Sequence, residues 1–486
     1  MYIADSLLSG RSYKGEDMMD SQHQTETKQP LKSVTFRQSS IIFIVVMTWI
    51  FFTILGLGAA PHMPLLIAAA ATGILLMLFG QRWDRVEQAL IKGLHSSIQP
   101  AMLLILIGIL IAVWMMSGTV PTLLVYGTSL FQPEWFALSA MLLTVVVSMC
   151  VGSSLTTVGT FGVALVGIAS SMGLNPALIA GAVVSGACFG DKMSPLSDTT
   201  NFASAVAGVK MTDHIRNMTK TTVPAFLMAC AAFVIWGHSD SADMNQLVVM
   251  KQAIQAAFHI HLVTLLPLVM VMIAAIKRVP IVLTMLAGIA AGLLVTGFVQ
   301  HNWNIGEWLQ VMQAGYNGTF QNEAVAAIVN RGGVQSMMWS ISLIGIAFAF
   351  GGLLQHGGVI QALFTRLIAP VKSKESLVVS SGLSSIGVNL MTGEQYMSIL
   401  LPGQMFKEEY ERRGIPRLTL SRTLEDCGTL INPLIPWGVS GAMMTSALGM
   451  NVLDYTPYAF FLWISPVCTF AFALLPGLKR NTLQEK

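Results

Sequence analysis

The chain has 486 residues, 54% hydrophobic and only 10% charged, with 27 Lys and Arg against 24 Asp and Glu and a formal charge of +3. Soluble domains carry roughly 25% charged residues, so this composition excludes a soluble globular enzyme and a basic nucleic-acid binder and indicates a polytopic membrane protein. The five cysteines (Cys150, Cys188, Cys230, Cys427, Cys468) lie in apolar segments without paired spacing, which argues against a disulfide framework or a zinc site.

About forty polar residues precede the first long apolar run, so residues 1–40 are predicted to be a disordered cytoplasmic tail rather than a signal peptide. Topology then follows from Lys and Arg, which concentrate in short cytoplasmic loops. With Arg11, Lys14, Lys28, Lys32 and Arg37 inside, spans 41–60 and 63–80 return the chain to Arg82, Arg85 and Lys92. Residues 101–117 exit to the uncharged stretch 118–132. The apolar segment 135–172 is interrupted by Gly, Ser and Thr at 152–160 and has no basic residue at its far end, so it is predicted to be a re-entrant hairpin that starts and ends outside. Residues 177–207 run inward to Lys210, Arg216 and Lys220, and 222–237 run out again.

An extracellular connection at 238–261 carries His259 and His261, expected at the membrane interface. Residues 262–276 come in to Lys277 and Arg278, 281–298 go out, and 337–355 come in to Arg366, Lys372 and Lys374. A second interrupted hairpin at 376–405 opens toward Lys407, Arg412, Arg413 and Arg417. Residues 420–447 then go out, and 457–475 return to a cytoplasmic tail at 477–486 with Lys479, Arg480 and Lys486. All but three of the 27 basic residues fall inside: Lys251 and Arg331 are outside and Lys192 is within the membrane.

The halves 41–237 and 262–476 repeat one another. Leu106-Ile107-Gly108-Ile109 matches Leu343-Ile344-Gly345-Ile346, and Gly190-x4-Pro195-Leu196 matches Gly428-x4-Pro433-Leu434, at offsets that differ by a single residue. Each half holds five crossings plus one hairpin. An odd crossing number inverts the second half, so the predicted fold is an all-α inverted repeat with broken helices at the midplane, a plan common among secondary transporters.

The candidate chemistry clusters at the two breaks and the two hairpin tips. Ser194-Pro195 and Asn432-Pro433 interrupt equivalent spans, because proline lacks a backbone donor and disfavours helix at the residue before it. Asp191 and Asp198 flank the first break, and Glu394 adjoins the second tip. Low dielectric favours the protonated form of a carboxylate and bound Na⁺ favours the ionised form, so proton and Na⁺ compete at one group. These three acids are the candidate coupling residues. Hydroxyl and amide oxygens suit a hard cation. They come from Ser153, Ser154, Thr156 and Thr157 at the first tip and Ser384, Ser385, Asn389 and Thr392 at the second. Ser194, Thr199, Thr200, Asn201 and Asn432 supply the breaks. Lys192 has two readings, counter-ion to Asp191 or ligand for an anionic substrate. Arg422, three residues before Glu425, is placed for an ion pair with it.

No G-x-x-x-x-G-K-[ST] loop supports an ATP-driven pump, and no H-E-x-x-H or G-x-S-x-G supports an intramembrane enzyme. The run G-D-K-M-S-P-L-S-D-T-T-N at 190–201 resembles the signature of the NhaC family of sodium/proton antiporters in the ion-transporter superfamily, and the likeness covers roughly residues 41–475. The resemblance implies a non-enzymatic antiporter of the cell membrane, with both termini cytoplasmic and two re-entrant hairpins. It needs no cofactor and no structural metal, only transported Na⁺ and H⁺. Within the family the chain looks most like the malate/lactate branch, which implies exchange of external malate and protons for internal lactate and Na⁺, with Lys192 toward the carboxylate. Plain Na⁺/H⁺ antiport is the alternative. The expected partners are malate, lactate, Na⁺, H⁺ and the lipid bilayer; a homodimer is allowed.

Overall fold

A computed structural model describes residues 34–474, other than 131–132, 238–243, 278, 321–325, 327–328 and 369–372. Most of both expected tails, together with Arg278 and Lys372, therefore lies outside the described residues. The described residues are helical and contain no strand. Among the described residues, seven helices are long and apolar enough to cross a membrane, or up to nine if each of two bent pairs is one span.

In chain order the first half contains α1 (Phe36–Phe51), α2 (His62–Leu78), α3 (Trp83–Ser96), α4 (Ile98–Met116), α5 (Thr119–Leu130), α6 (Phe136–Val151), α7 (Ser154–Thr157), α8 (Val163–Ser171), α9 (Pro176–Met193), α10 (Asp198–Ala207) and α11 (Met211–Trp236). The second contains α12 (Met244–Ala257), α13 (Leu266–Ile276), α14 (Ile281–Phe298), α15 (Ile305–Ala314), α16 (Gly333–His356), α17 (Val359–Ile368), α18 (Lys374–Thr392), α19 (Gln395–Arg412), α20 (Arg417–Leu424), α21 (Val439–Leu448), α22 (Val452–Tyr455) and α23 (Phe460–Leu474).

Two charged or polar stretches expected to be loops are helical. Residues 83–96 bury Val86, Ala89 and Gly93, a spacing of three, four and seven that puts one apolar stripe on a helix otherwise rich in charge. Gly93 lets α3 meet α16 backbone to backbone, since a Cβ there would come 2.1 Å from the Phe348 carbonyl oxygen. The uncharged stretch 118–132 likewise holds α5.

Glycine contacts fix helix direction around the first hairpin. A Cβ on Gly186 would strike the Met141 carbonyl oxygen at 2.2 Å and one on Gly190 the Val145 oxygen at 2.4 Å, so α6 and α9 run parallel in close contact. Ser154 meets Asp191 while Gly162, farther along, meets Val183, so the α7–α8 arm runs antiparallel to α9. The chain thus reverses between α6 and α7. Gly152, at φ 71°, makes the turn, and Ser153 caps the returning arm by accepting the Thr156 N–H at 3.3 Å.

The second hairpin repeats this arrangement. Gly393, at φ 67°, ends α18, and the Glu394 side chain caps α19. Gly382 packs on Cys427 and Asn389 donates to the Gly428 carbonyl, so α18 parallels α20; Gly403 meets Leu424 and Gly428 meets Ser398, so α19 opposes it. Each tip sits on a helix break. Gly152 lies against Leu196, and Gly393 O accepts the Val439 N–H at 2.9 Å and Asn432 Nδ2 at 3.0 Å.

The breaks have local causes. α9 starts at Pro176, capped by Asn175, and stops at Ser194, which the following proline holds extended at φ −83°, ψ 131°. α10 restarts under a Ser197 cap and ends at Gly208. α20 widens into a π-helix over Glu425–Thr429 before a 3₁₀ turn at Asn432–Leu434 and a restart at α21. Thr199 meets Glu425 at one level, and Gly208 lies beside Arg417 at another, so α10 and α20 run in opposite senses.

Candidate functional site

The two tips and the first break enclose a cavity of about 470 Å³, closed on its other sides by the α3–α4 junction and the end of α16. Asp191, Asp198 and Glu394 all line it, together with Ser153, Ser154, Thr199 and Thr392. No Lys or Arg does.

Each acid meets a helix N-terminus, where exposed N–H groups and the helix dipole favour negative charge. Asp191 Oδ2 accepts the Ser154 N–H at 3.0 Å and the Ser154 hydroxyl at 2.8 Å, at the start of α7. Asp198 is the first residue of α10, and its carboxylate makes no hydrogen bond or ion pair to any described residue. Glu394 Oε2 accepts the Met397 N–H at 2.6 Å in the first turn of α19. The cavity therefore gathers three carboxyl groups against one imidazole and, among the described residues, no Lys or Arg, a pattern that favours cations over organic anions.

The remaining residues singled out from sequence divide in two. Thr156 and Asn201 line a smaller adjoining cavity of about 300 Å³, which Ser153 and Asp198 also reach. The others tie backbone. Thr157 donates to Ser153 O, Ser194 to Met149 O, Thr200 to Lys192 O and Ser385 to Ser398 O. Asn432 donates to Asn389 Oδ1 at 2.7 Å and accepts the Ser440 N–H, locking the second break to the second hairpin. Ser384 is buried away from the cavity.

Lys192 departs from both of its expected roles. It does not pair with Asp191 and does not line the cavity; it forms an ion pair with Asp426, both side chains fully buried. Adjacent residues of a helix point roughly 100° apart, so Asp191 faces the hairpin tip while Lys192 faces the second half. Asp426 is further saturated by the hydroxyls of Thr221 at 2.8 Å, Ser465 at 3.1 Å and Thr469. The expected Arg422–Glu425 pair is also absent. The helix turns π at Glu425, whose Oε1 accepts from Thr199 at 3.0 Å, and Arg422 Nη1 instead reaches Asn217 Oδ1 at 3.4 Å. Sequence reasoning missed Asp426 as the anchor of Lys192, and Gln99, Gln355 and Tyr396 as cavity wall. The last three carry no local motif that would have marked them.

Residues 186–475 match the Na⁺/H⁺ antiporter family. The chain is 47% identical to the Na⁺/H⁺ antiporter NhaC of Alkalihalophilus pseudofirmus over 91% of its own length and 96% of the relative's. It is 46% identical to the Na⁺/H⁺ antiporter NhaC of Bacillus subtilis over 90% and 97%. With the malate-2H⁺/Na⁺-lactate antiporter of Bacillus subtilis, identity falls to 28% over 88% and 92%, so the likeness to the malate/lactate branch is the more distant one. The chain belongs to the Na⁺/H⁺ antiporter family, and it is more similar to these two NhaC proteins than to the malate/lactate antiporter.

Proposed function

We propose that this protein exchanges Na⁺ for H⁺ at the three-carboxylate cavity and carries no organic acid. Asp191, Asp198 and Glu394 alternate between protonated and Na⁺-associated forms, and Ser153, Ser154, Thr199 and Thr392 supply neutral oxygens. The observation that carries this reading is the convergence of three carboxylates on one cavity with no Lys or Arg in its wall. A dicarboxylate would enter against that charge. Lys192, its candidate partner, is already neutralised by Asp426.

The halves act as an inverted repeat moving around the cavity. Two features support this: the same hairpin-on-break unit occurs twice, and α10 opposes α20. The cytoplasmic side is the layer where Gly208 meets Lys407 and Arg417 and where Lys374 reaches Gly414 O, because it gathers basic side chains. With that orientation we read both termini as cytoplasmic, a reading supported by the bias of basic residues along the sequence.

The test is Na⁺-driven pH change in proteoliposomes of the purified protein, with and without malate and lactate inside or outside. Exchange that is indifferent to both acids is expected. An absolute requirement for either acid would replace this reading with the malate/lactate one.

A further inference from the structure

Behind the cavity wall, toward the second half, lies a carboxylate that the exchange scheme above leaves unused. Glu425 is fully buried, and its two oxygens are treated differently. Oε1 accepts from Thr199, a cavity-lining residue whose hydroxyl also lies 3.1 Å from Ser197 Oγ. Oε2 has no hydrogen-bond donor among the described residues. Thr429, on the same π-helical turn, brings its buried hydroxyl against the Glu425 carboxylate and has no other partner among the described residues. Native proteins seldom leave buried polar atoms unpaired, and an unpaired carboxylate oxygen is costlier than a hydroxyl. The carboxylate oxygen and the hydroxyl beside it form a partial shell for a hard monovalent cation.

The surroundings leave this acid available. The Lys192 ammonium lies within electrostatic reach of it but makes its ion pair with Asp426. The other ionisable groups within electrostatic reach are Asp191 from α9 and Tyr396 from α19, with Arg422 and Asp426 along its own helix. The widened turn at Glu425–Thr429 holds both oxygens on one side, and π-turns of this kind recur at functional sites.

We propose that Glu425, with Thr429, is a second cation-binding group, reached from the main cavity past Thr199 and occupied in turn by a monovalent cation and a proton. This rests on the Na⁺/H⁺ reading above and extends it from one site to two in series.

The test compares wild type, Glu425→Gln and Thr429→Val as purified full-length proteins, by equilibrium binding of radioactive Na⁺ in detergent and by Na⁺-driven pH change in proteoliposomes. Thr429→Val keeps the carboxylate and should raise half-saturating Na⁺ several-fold. Glu425→Gln should raise it roughly tenfold or abolish binding at that site, and should displace the pH profile of exchange. If both variants fold and keep wild-type Na⁺ binding and pH profile, the second site does not exist. Should Glu425→Gln fail to fold, the Na⁺ affinity and pH profile of Thr429→Val decide alone. Loss of exchange in wild type would instead defeat the Na⁺/H⁺ reading, while binding in detergent would still decide for or against Glu425.

Discussion

Two polar regions lie on either side of α9, and adjacent residues feed them. Asp191 opens into a cavity shared with Asp198 and Glu394, where no Lys or Arg answers the negative charge. Lys192 turns the other way into a dry knot with Asp426, closed by Thr221, Ser465 and Thr469. Charge in the first region has space around it and can change partners. Charge in the second is paired, and the Asp426 carboxylate is held by one ammonium and three hydroxyls. An ionisable residue inside a membrane protein is commonly a transport group; here one turn of one helix supplies a candidate transport group and a clamp between halves of the chain.

The comparison is broken most severely at the clamp. Asp426→Asn should break the buried pair of the Lys192 ammonium and leave Glu425 as the carboxylate still within its electrostatic reach, a loss of up to about 3–5 kcal/mol. Thermal unfolding in detergent should show it as a large fall in melting temperature or as failure to purify. Replacing both partners with apolar side chains, Lys192→Met with Asp426→Leu, should recover much of that loss, because a buried pair is often near neutral against a hydrophobic substitute. Equal instability in the double variant would show that the pair does more than neutralise itself.

The smallest effect belongs to charge outside both regions. Glu409 bonds Arg412 and Arg413 at the open end of the second hairpin, where Arg412 is largely exposed. The Arg412 guanidinium, helped by Arg413, holds the Glu409 carboxyl below its ordinary value of 4.5. A depressed carboxylate stabilises the fold above that value and loses the contribution as pH falls through the lowered one. Glu409→Gln should therefore cost no more than ~1 kcal/mol at neutral pH. The difference from wild type should disappear in acid, as read from melting temperatures between neutral pH and pH 3.

The chain reversals at the two tips and the helix breaks were legible because each has a local cause. Gly152 and Gly393 take left-handed backbone at the tips, and Pro195 forces Ser194 extended. The partner of Lys192 was not legible, since it lies 234 residues away and depends on how the halves meet. Nor does composition separate a Ser or Asn that ties backbone, such as Ser194 or Asn432, from one that faces the cavity, such as Ser154. The π-turn at Glu425–Thr429 has no sequence mark either, and it cancels the expected pairing with Arg422. The charges of residues 83–96 suggested a loop, while the spacing of Val86, Ala89 and Gly93 already encoded the buried stripe of α3.

The account stands most directly on Asp198, the cavity acid whose carboxylate has no partner among the described residues. Asp198→Asn, reconstituted beside wild type, should keep the wild-type melting temperature within a few degrees while its Na⁺-driven pH change falls to that of protein-free liposomes. A folded Asp198→Asn protein that exchanges Na⁺ for H⁺ with wild-type Na⁺ dependence would contradict the claim that the three-carboxylate cavity couples the two ions.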